Sequence, residues 1–122
     1  MTYNIEDTDI EHLDRLIAAY NEVAKANGFE TVWSMWRSDE WQDMNDVSGI
    51  PEGTVIRHWH HSGNDFRATV EGNTWLDVWR ACDEAIVEGG DPHHIYIENL
   101  MWVTVEQPDG TVQRFLALTT GS

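Results

Sequence analysis

The sequence lacks any apolar run of about 18 residues, the minimum for a membrane-spanning helix, so we expect no such helix. Its first residues have neither the basic start nor the apolar stretch of a secretory signal, and none is expected. The single cysteine, Cys82, cannot form an internal disulfide. A lone cysteine fits a reducing compartment. We therefore predict a cytoplasmic protein.

Catalytic motifs are also missing. The sequence contains no G-x-S-x-G nucleophile elbow and no H-E-x-x-H zinc motif. Gly89 and Gly90 follow a predicted helix, whereas a phosphate-binding loop places its glycines ahead of one. Cys82 lies on the apolar face of that helix and is expected to be buried rather than reactive. We predict a protein that is not an enzyme and needs no cofactor.

Basic residues are scarce. Seven Lys and Arg residues stand against 22 Asp and Glu residues, which gives a net charge of −15 at pH 7. Direct binding to nucleic acid or to an anionic membrane is disfavoured, because like charges repel. A basic protein surface is the natural electrostatic partner. Two alternatives are that the acids serve solubility or reflect a salt-adapted proteome.

What is present is sufficient for one folded domain over residues 1–122. Hydrophobic residues make up 41% of the chain and include seven tryptophans. Apolar residues at three- and four-residue spacing predict two long helices, Thr8 to Asn27 and Asn73 to Glu88. In the first helix the apolar stripe comprises Ile10, Leu13, Ile17, Tyr20 and Ala24. A short helix after Ser38 would place Trp41, Met44 and Val47 on one face.

Five strands are predicted from β-branched and aromatic residues: Phe29–Arg37, Thr54–His61, Asp65–Glu71, His94–Glu106 and Thr111–Thr119. The turns Ser62-Gly63-Asn64 and Pro108-Asp109-Gly110 join the second to the third strand and the fourth to the fifth as hairpins. The fold predicted from this order is α+β, with a mainly antiparallel sheet of about five strands and two long helices packed on one face. In the fourth strand, Ile95, Ile97, Met101, Val103 and Val105 share one alternation, and Tyr96, Leu100 and Trp102 share the other.

Carboxylates gather on the outer faces of both predicted helices and in the segment around Trp41. Trp33, Trp36, Trp59, Trp75 and Trp79 are predicted to be core residues, and Trp41 and Trp102 to be exposed. An exposed aromatic residue among acids suits a basic protein surface, because buried aromatics supply binding energy and rim charges supply steering. The candidate partner-binding residues are Asp7, Glu11, Asp14, Glu22, Asp39, Glu40, Trp41, Asp43, Asp46, Asp77, Glu84 and Glu88.

Histidines provide a weaker signal. His58 and His60 alternate on one face of a predicted strand, and His94 begins another. Imidazoles beside a carboxylate can bind zinc or another divalent ion. Histidines at strand ends are more often surface residues that form hydrogen bonds, so no metal site is assigned. A small metal- or ligand-binding enzyme domain that uses these residues stays an alternative.

The leading hypothesis is a binding protein that occupies the basic, nucleic-acid-binding site of another protein. In size and charge the chain resembles small acidic phage proteins, including anti-CRISPR and anti-restriction inhibitors, although no motif identifies a family. That profile implies nucleic-acid mimicry and inhibition that weakens with salt. A further alternative is a self-associating assembly protein, which would dimerise through the C-terminal hairpin.

Overall fold

The computed structural model describes residues 7–34, 43–59, 64–90 and 93–121, with backbone alone for residues 7–13. Its elements, in chain order, are α1 (Asp7–Asn27), β1 (Val32–Trp33), β2 (Val55–Trp59), β3 (Asp65–Thr69), α2 (Trp75–Gly89), β4 (Tyr96–Glu106) and β5 (Val112–Gly121). Both predicted long helices are confirmed to within two residues. No helix of the described ranges has the length and apolar character needed to cross a membrane.

Helix α1 buries a stripe that differs slightly from the predicted one. Leu16, Tyr20 and Ala24 are buried, whereas Ile17 is 39% exposed. Leu16, Tyr20 and Ala24 recur every four residues and so form one continuous row along the helix, which Ile17 does not join. The predicted position of Ile17 on the buried stripe was therefore wrong. The helix ends at Gly28, whose positive φ of 71° is typical of a C-terminal glycine.

Helix α2 begins with a capping box. The Thr74 hydroxyl accepts a hydrogen bond from the Asp77 amide, and the Asp77 carboxylate accepts one from the Thr74 amide. This exchange satisfies two backbone groups that would otherwise lack partners at the helix start. Gly90, in a left-handed conformation, ends the helix. The buried face of α2 consists of Val78, Trp79, Ala81, Cys82, Ala85 and Ile86.

The sheet has the strand order β1-β4-β5-β2-β3. The two hairpins, β2–β3 and β4–β5, are antiparallel as predicted, but β1 runs parallel to β4 and β2 runs parallel to β5. The predicted mainly antiparallel sheet with two long helices on one face is therefore wrong: the strands are of mixed orientation and form a curled half-barrel. The physical reason is the crossover. After β3 the chain passes through α2 and re-enters the sheet two places beyond β2, so that β5 lies beside β2 in the same direction.

The helices pack at different places on this curled sheet. Helix α1 lies against β1, and α2 lies against β2 and β3, which places them toward opposite ends of the strand order. Residues of both helices nevertheless contribute to one core cluster, together with Trp33, Ile56 and Leu116. The curl of the sheet brings its two ends around a single core.

The segment between β1 and β2 differs from the prediction where it is described. Residues 43–47 form turns and a single bridge between Val47 and Thr74 instead of a helix. The Asp43 carboxylate accepts a hydrogen bond from the Asn45 amide, a local interaction that competes with helix formation. Met44 is buried and Val47 is 68% exposed, so these two residues do not share a buried face. Ser38 and Trp41 lie outside the described residues.

A bulge in β4 changes the alternation of its side chains. Ile97 pairs with Thr120 and Asn99 pairs with Thr119, which leaves Glu98 as an extra residue. Beyond it, Leu100 and Trp102 lie on the same face as Ile97, while Met101, Val103 and Val105 lie on the opposite face. The prediction that Ile97 and Met101 share an alternation is therefore wrong.

Candidate binding surfaces

The helix faces that point away from the core carry exposed carboxylates, together with the basic residues Arg15, Lys25 and Arg80. Asp14 and Glu22 are exposed on α1, and Glu84 and Glu88 are exposed on α2. Within the described ranges none of these four carboxylates forms an ion pair. We call these four residues the helix acids. Their carboxylates face solvent, as the sequence predicted for the outer faces of both helices.

The Asp77 carboxylate also takes part in the hydrogen bonds that hold the start of α2. Its carboxylate accepts hydrogen bonds from the Thr74 hydroxyl at 2.7 Å and from Arg80 at 3.2 Å. The hydrogen bond from the Thr74 side chain holds the pKa of Asp77 below its usual value, with a smaller contribution from the Arg80 charge. Because two groups already occupy this carboxylate, Asp77 is less available to a partner than Glu84 or Glu88.

The other proposed partner-binding residues divide into three groups. Asp43 and Asp46 are exposed in the turn before β2. Asp7 and Glu11 lie in the first two turns of α1, where the side chains are not described. Asp39, Glu40 and Trp41 lie outside the described residues.

Arginines occupy the face of the sheet that lies opposite the core. Arg57 is hydrogen-bonded to Asp65 at 2.7 Å, and Arg67 contacts the same oxygen at 3.1 Å. Burial raises the pKa of Asp65, but the hydrogen bonds and charges of the two arginines outweigh that effect and lower it overall. The Arg57 guanidinium also lies 4.3 Å from the ring centroid of Trp59 and 4.4 Å from that of Phe115. Two of the seven basic residues are therefore paired with one carboxylate, away from the helix acids.

Trp59 is a surface residue, contrary to the core position predicted for it. It is 49% exposed, whereas Trp33 and Trp79 are buried as predicted and Trp75 is partly buried. The signal was present in the alternation of β2, because Ile56 and His58 are buried and Trp59 shares its parity with Arg57. Trp36 lies outside the described residues.

The distal part of the β4–β5 hairpin, which we call the ribbon (residues 100–106 and 112–116), exposes apolar side chains on both faces. Met101 is 58% exposed and Trp102 is 38% exposed, as predicted for Trp102. Arg114 lies over the Trp102 ring, 3.9 Å from its centroid. The sequence predicted partly apolar side chains on both faces of the strand His94–Glu106, which supplies Met101 and Trp102.

The histidines are placed differently from one another. His58 is buried and faces the core, where its Nε2 lies 3.1 Å from the Thr120 hydroxyl. His94 is partly buried before β4, and His60 lies outside the described residues. Over the part of the chain that the structure describes, no three His, Cys, Asp or Glu side chains form a group that could hold a metal ion.

Comparisons with protein-family models, with curated proteins and with solved structures give no match to this chain. Its function is therefore inferred from its own charges, exposed side chains and backbone edges.

Proposed function

We propose that this protein is a non-enzymatic binding protein whose acidic helix faces occupy a basic, nucleic-acid-binding site of another protein. The observation that carries the proposal is the exposure of carboxylates that the chain itself does not pair. Within the described ranges the helix acids form no ion pair, whereas Arg57, Arg67 and Arg80 are paired with Asp65 or Asp77. Arg15 and Lys25 are also exposed on α1. A partner with a basic groove would meet negative charge that the chain itself does not neutralise.

The spacing of the helix acids supports mimicry of a phosphate backbone. Glu84 and Glu88 are one turn apart, which places them about 6 Å apart along the helix axis. Asp14 and Glu22 are separated by about 12 Å along α1 on the same estimate. Nucleic-acid strands carry one charge per about 3.4 Å of axis, so these intervals correspond to roughly two and four phosphate steps. A basic site that tracks a strand can therefore contact each pair without rearrangement.

The charge also predicts the salt dependence of binding. Carboxylates at a rim contribute mainly to long-range steering, which is screened over about 8 Å at physiological ionic strength. Binding to the basic partner is therefore expected to weaken steadily as salt rises. Inhibition of an anti-CRISPR or anti-restriction kind is one form of this activity.

The test is a competition assay. A panel of purified basic nucleic-acid-binding proteins is loaded with fluorescent DNA or RNA, and release is followed by anisotropy as this protein is added. We expect release from a subset of the panel, and we expect the concentration needed to rise with salt. If the protein displaces nucleic acid from none of them at low salt, and the same proteins do not bind it, the proposal fails for the classes represented in the panel.

Matched variants separate a defined surface from mere net charge. Asp14→Asn, Glu22→Gln, Glu84→Gln and Glu88→Gln together remove four charges from the helix acids. The control removes four charges from exposed carboxylates elsewhere on the described surface, namely Glu30, Glu52, Glu71 and Asp109. We expect the first variant to lose displacement and the control to keep most of it. Equal loss in both would indicate net charge rather than a surface.

A further inference from the structure

The outer edge of β4 is unpaired over most of its length within the described chain. In the part of the chain that the structure describes, β1 pairs with β4 at Tyr96 and Ile97, and β4 continues to Glu106. Along residues 99–106, β5 is the only described strand beside β4.

The direction of the backbone groups along this edge follows from two hydrogen bonds. The Ser34 amide donates to the Ile97 carbonyl, so the backbone N–H and C=O groups of Ile97 point toward β1. The Gln107 amide donates to the Thr111 carbonyl, so the backbone groups of Gln107 point toward β5. Successive residues of a strand direct their backbone groups to opposite sides. When the extra residue at Glu98 is counted, both hydrogen bonds give the same backbone orientation for each residue from 99 to 106. The residues whose N–H and C=O groups point away from β5 are Leu100, Trp102, Thr104 and Glu106, which we call the β4 edge.

The side chains along this edge are apolar on both faces and charged only at the ends. No charged residue lies between Glu98 and Glu106. Met101 and Val105 are exposed on one face, and Trp102 is exposed on the other. A long exposed apolar strand edge is a template for pairing with another chain, and soluble proteins commonly protect such an edge with lysine, proline or a covering segment.

We propose that the β4 edge binds an extended segment of a partner protein, which joins the sheet as an added strand. The middle of that segment is apolar or β-branched, because its side chains lie beside Met101 and Val105 on one face and beside Trp102 on the other. Its ends carry Lys or Arg, opposite Glu98 and Glu106. The inference deepens the proposed function, and rests on it, by giving the basic partner a strand as well as a charged groove.

Charge decides between such a partner and a second copy of this chain. Antiparallel pairing of two copies centred on Trp102 would bring Glu98 of each copy opposite Glu106 of the other. Like charges directly opposite each other on paired strands are destabilising, and each copy also carries a net charge of −15. A segment with basic ends would instead be attracted both to Glu98 and Glu106 and to the net negative charge of this chain.

The test uses a synthetic peptide as a probe. Isotope-labelled protein is titrated with a blocked peptide that has alternating Thr and Val in the middle and two lysines at each end, and amide shifts are followed by NMR. We expect saturable shifts at residues 100–106. A matched peptide with glutamates at its ends is expected to bind at least about tenfold more weakly. The lysine peptide with N-methylated backbone amides on its pairing side is expected to lose the β4 shifts.

A proline variant tests the edge directly. Thr104→Pro removes an N–H that points away from β5 and leaves the β4–β5 hydrogen bonds in place, which is where a strand tolerates proline. We expect it to weaken peptide binding about tenfold or more. Thr104→Val keeps the N–H and is expected to bind the peptide as the native chain does. Circular dichroism confirms that both variants are folded.

Several results would overturn the proposal. These are the absence of saturable shifts on β4, unchanged peptide binding by the folded Thr104→Pro variant, and edge shifts that grow with protein concentration alone, which would assign the edge to a second copy. Slow hydrogen exchange of the Thr104 amide in the free protein would show that the edge is already occupied. Shifts confined to α1 and α2 would refute the edge and leave the proposed function standing. Edge binding in a protein that displaces no nucleic acid would refute the proposed function instead.

Discussion

The Thr31→Val substitution tests the junction that fixes β1 against α2. The Thr31 hydroxyl donates a hydrogen bond to Asp83 Oδ1 at 2.7 Å and accepts one from Trp79 Nε1 at 3.0 Å. Thr31 is 3% exposed and Trp79 is fully buried. Valine has nearly the same shape as threonine, so the change removes two hydrogen bonds without opening a cavity.

The expected loss of unfolding free energy is about 2 kcal/mol. A buried donor left without an acceptor costs about 1–3 kcal/mol, and Trp79 Nε1 becomes such a donor. A hydrogen bond to a charged group contributes about 1.5–3 kcal/mol. Much of that second contribution is retained, because Asp83 Oδ1 still accepts from the Glu30 and Thr31 amides at 2.9 and 3.1 Å and is partly open to water. The added methyl group returns roughly 0.8 kcal/mol of burial.

The assay is urea unfolding followed by far-ultraviolet circular dichroism. Thr69→Val makes the same chemical change at an exposed position of β3 and is expected to stay within about 0.5 kcal/mol of the native chain. A double-mutant cycle combines Thr31→Val with Trp79→Phe, which removes the indole N–H donor. The two substitutions are expected to show a coupling free energy of unfolding of at least about 1 kcal/mol. A loss below about 0.5 kcal/mol for Thr31→Val, or strict additivity in the double variant, would refute the reasoning.

Three other predictions concern the start of α2 and its buried thiol. Gly72→Ala is expected to lower the unfolding free energy by more than Gly53→Ala, because both glycines have positive φ but only at Gly72 would a Cβ overlap the Asp77 carboxylate; equal losses in chemical denaturation would contradict this. Since the folded-state pKa of Asp77 lies below its usual value of 3.8, its stabilising effect is present above that value and is lost as the pH falls through the lower folded-state value. The stability difference between the native chain and Asp77→Asn should therefore shrink in acid, and a constant difference from pH 7 to pH 2 would argue against the linkage. Burial raises the pKa of the Cys82 thiol, so a disulfide reagent should modify it at the rate of unfolding, and rapid modification in the absence of urea would count against a buried thiol.

The helices could be predicted from the sequence because their signals are local. Apolar spacing, the cap at Thr74 and the stops at Gly28 and Gly90 all lie within or next to the helix that they define. The two hairpins were predictable for the same reason, since turn residues and flanking strands are close in the chain. Each of these features depends on contacts between residues a few positions apart.

The arrangement of the strands could not be predicted in the same way. The pairing of β2 with β5 joins residues such as Ile56 and Leu116, which are far apart in the chain, and no turn chemistry specifies it. Both hairpins are consistent with an antiparallel meander and with the observed mixed sheet. The choice depends on how α2 packs across the sheet, which is a property of the whole core.

The candidate surfaces were likewise predictable where they depend on local sequence and not where they depend on contacts between side chains. Acidic outer helix faces follow from periodicity, and Asp14, Glu22, Glu84 and Glu88 are exposed as expected. The second function of Asp77 in the capping box, and the pairing of two arginines with Asp65, required the geometry.

The bulge at Glu98 determines which side chains lie on each face of β4 beyond it. One extra residue shifts the alternation, so that Ile97 packs in the core while Met101 and Val105 lie on the outer face. The carboxylate of the extra residue lies beside Gly121, where a Cβ would overlap it. A larger residue at position 121 would therefore displace the Glu98 side chain. If Glu98 instead took an ordinary place in the ladder, Met101 would lie on the face of Ile97. The side chains that flank the β4 edge thus depend on the bulge, which strand alternation in the sequence does not reveal.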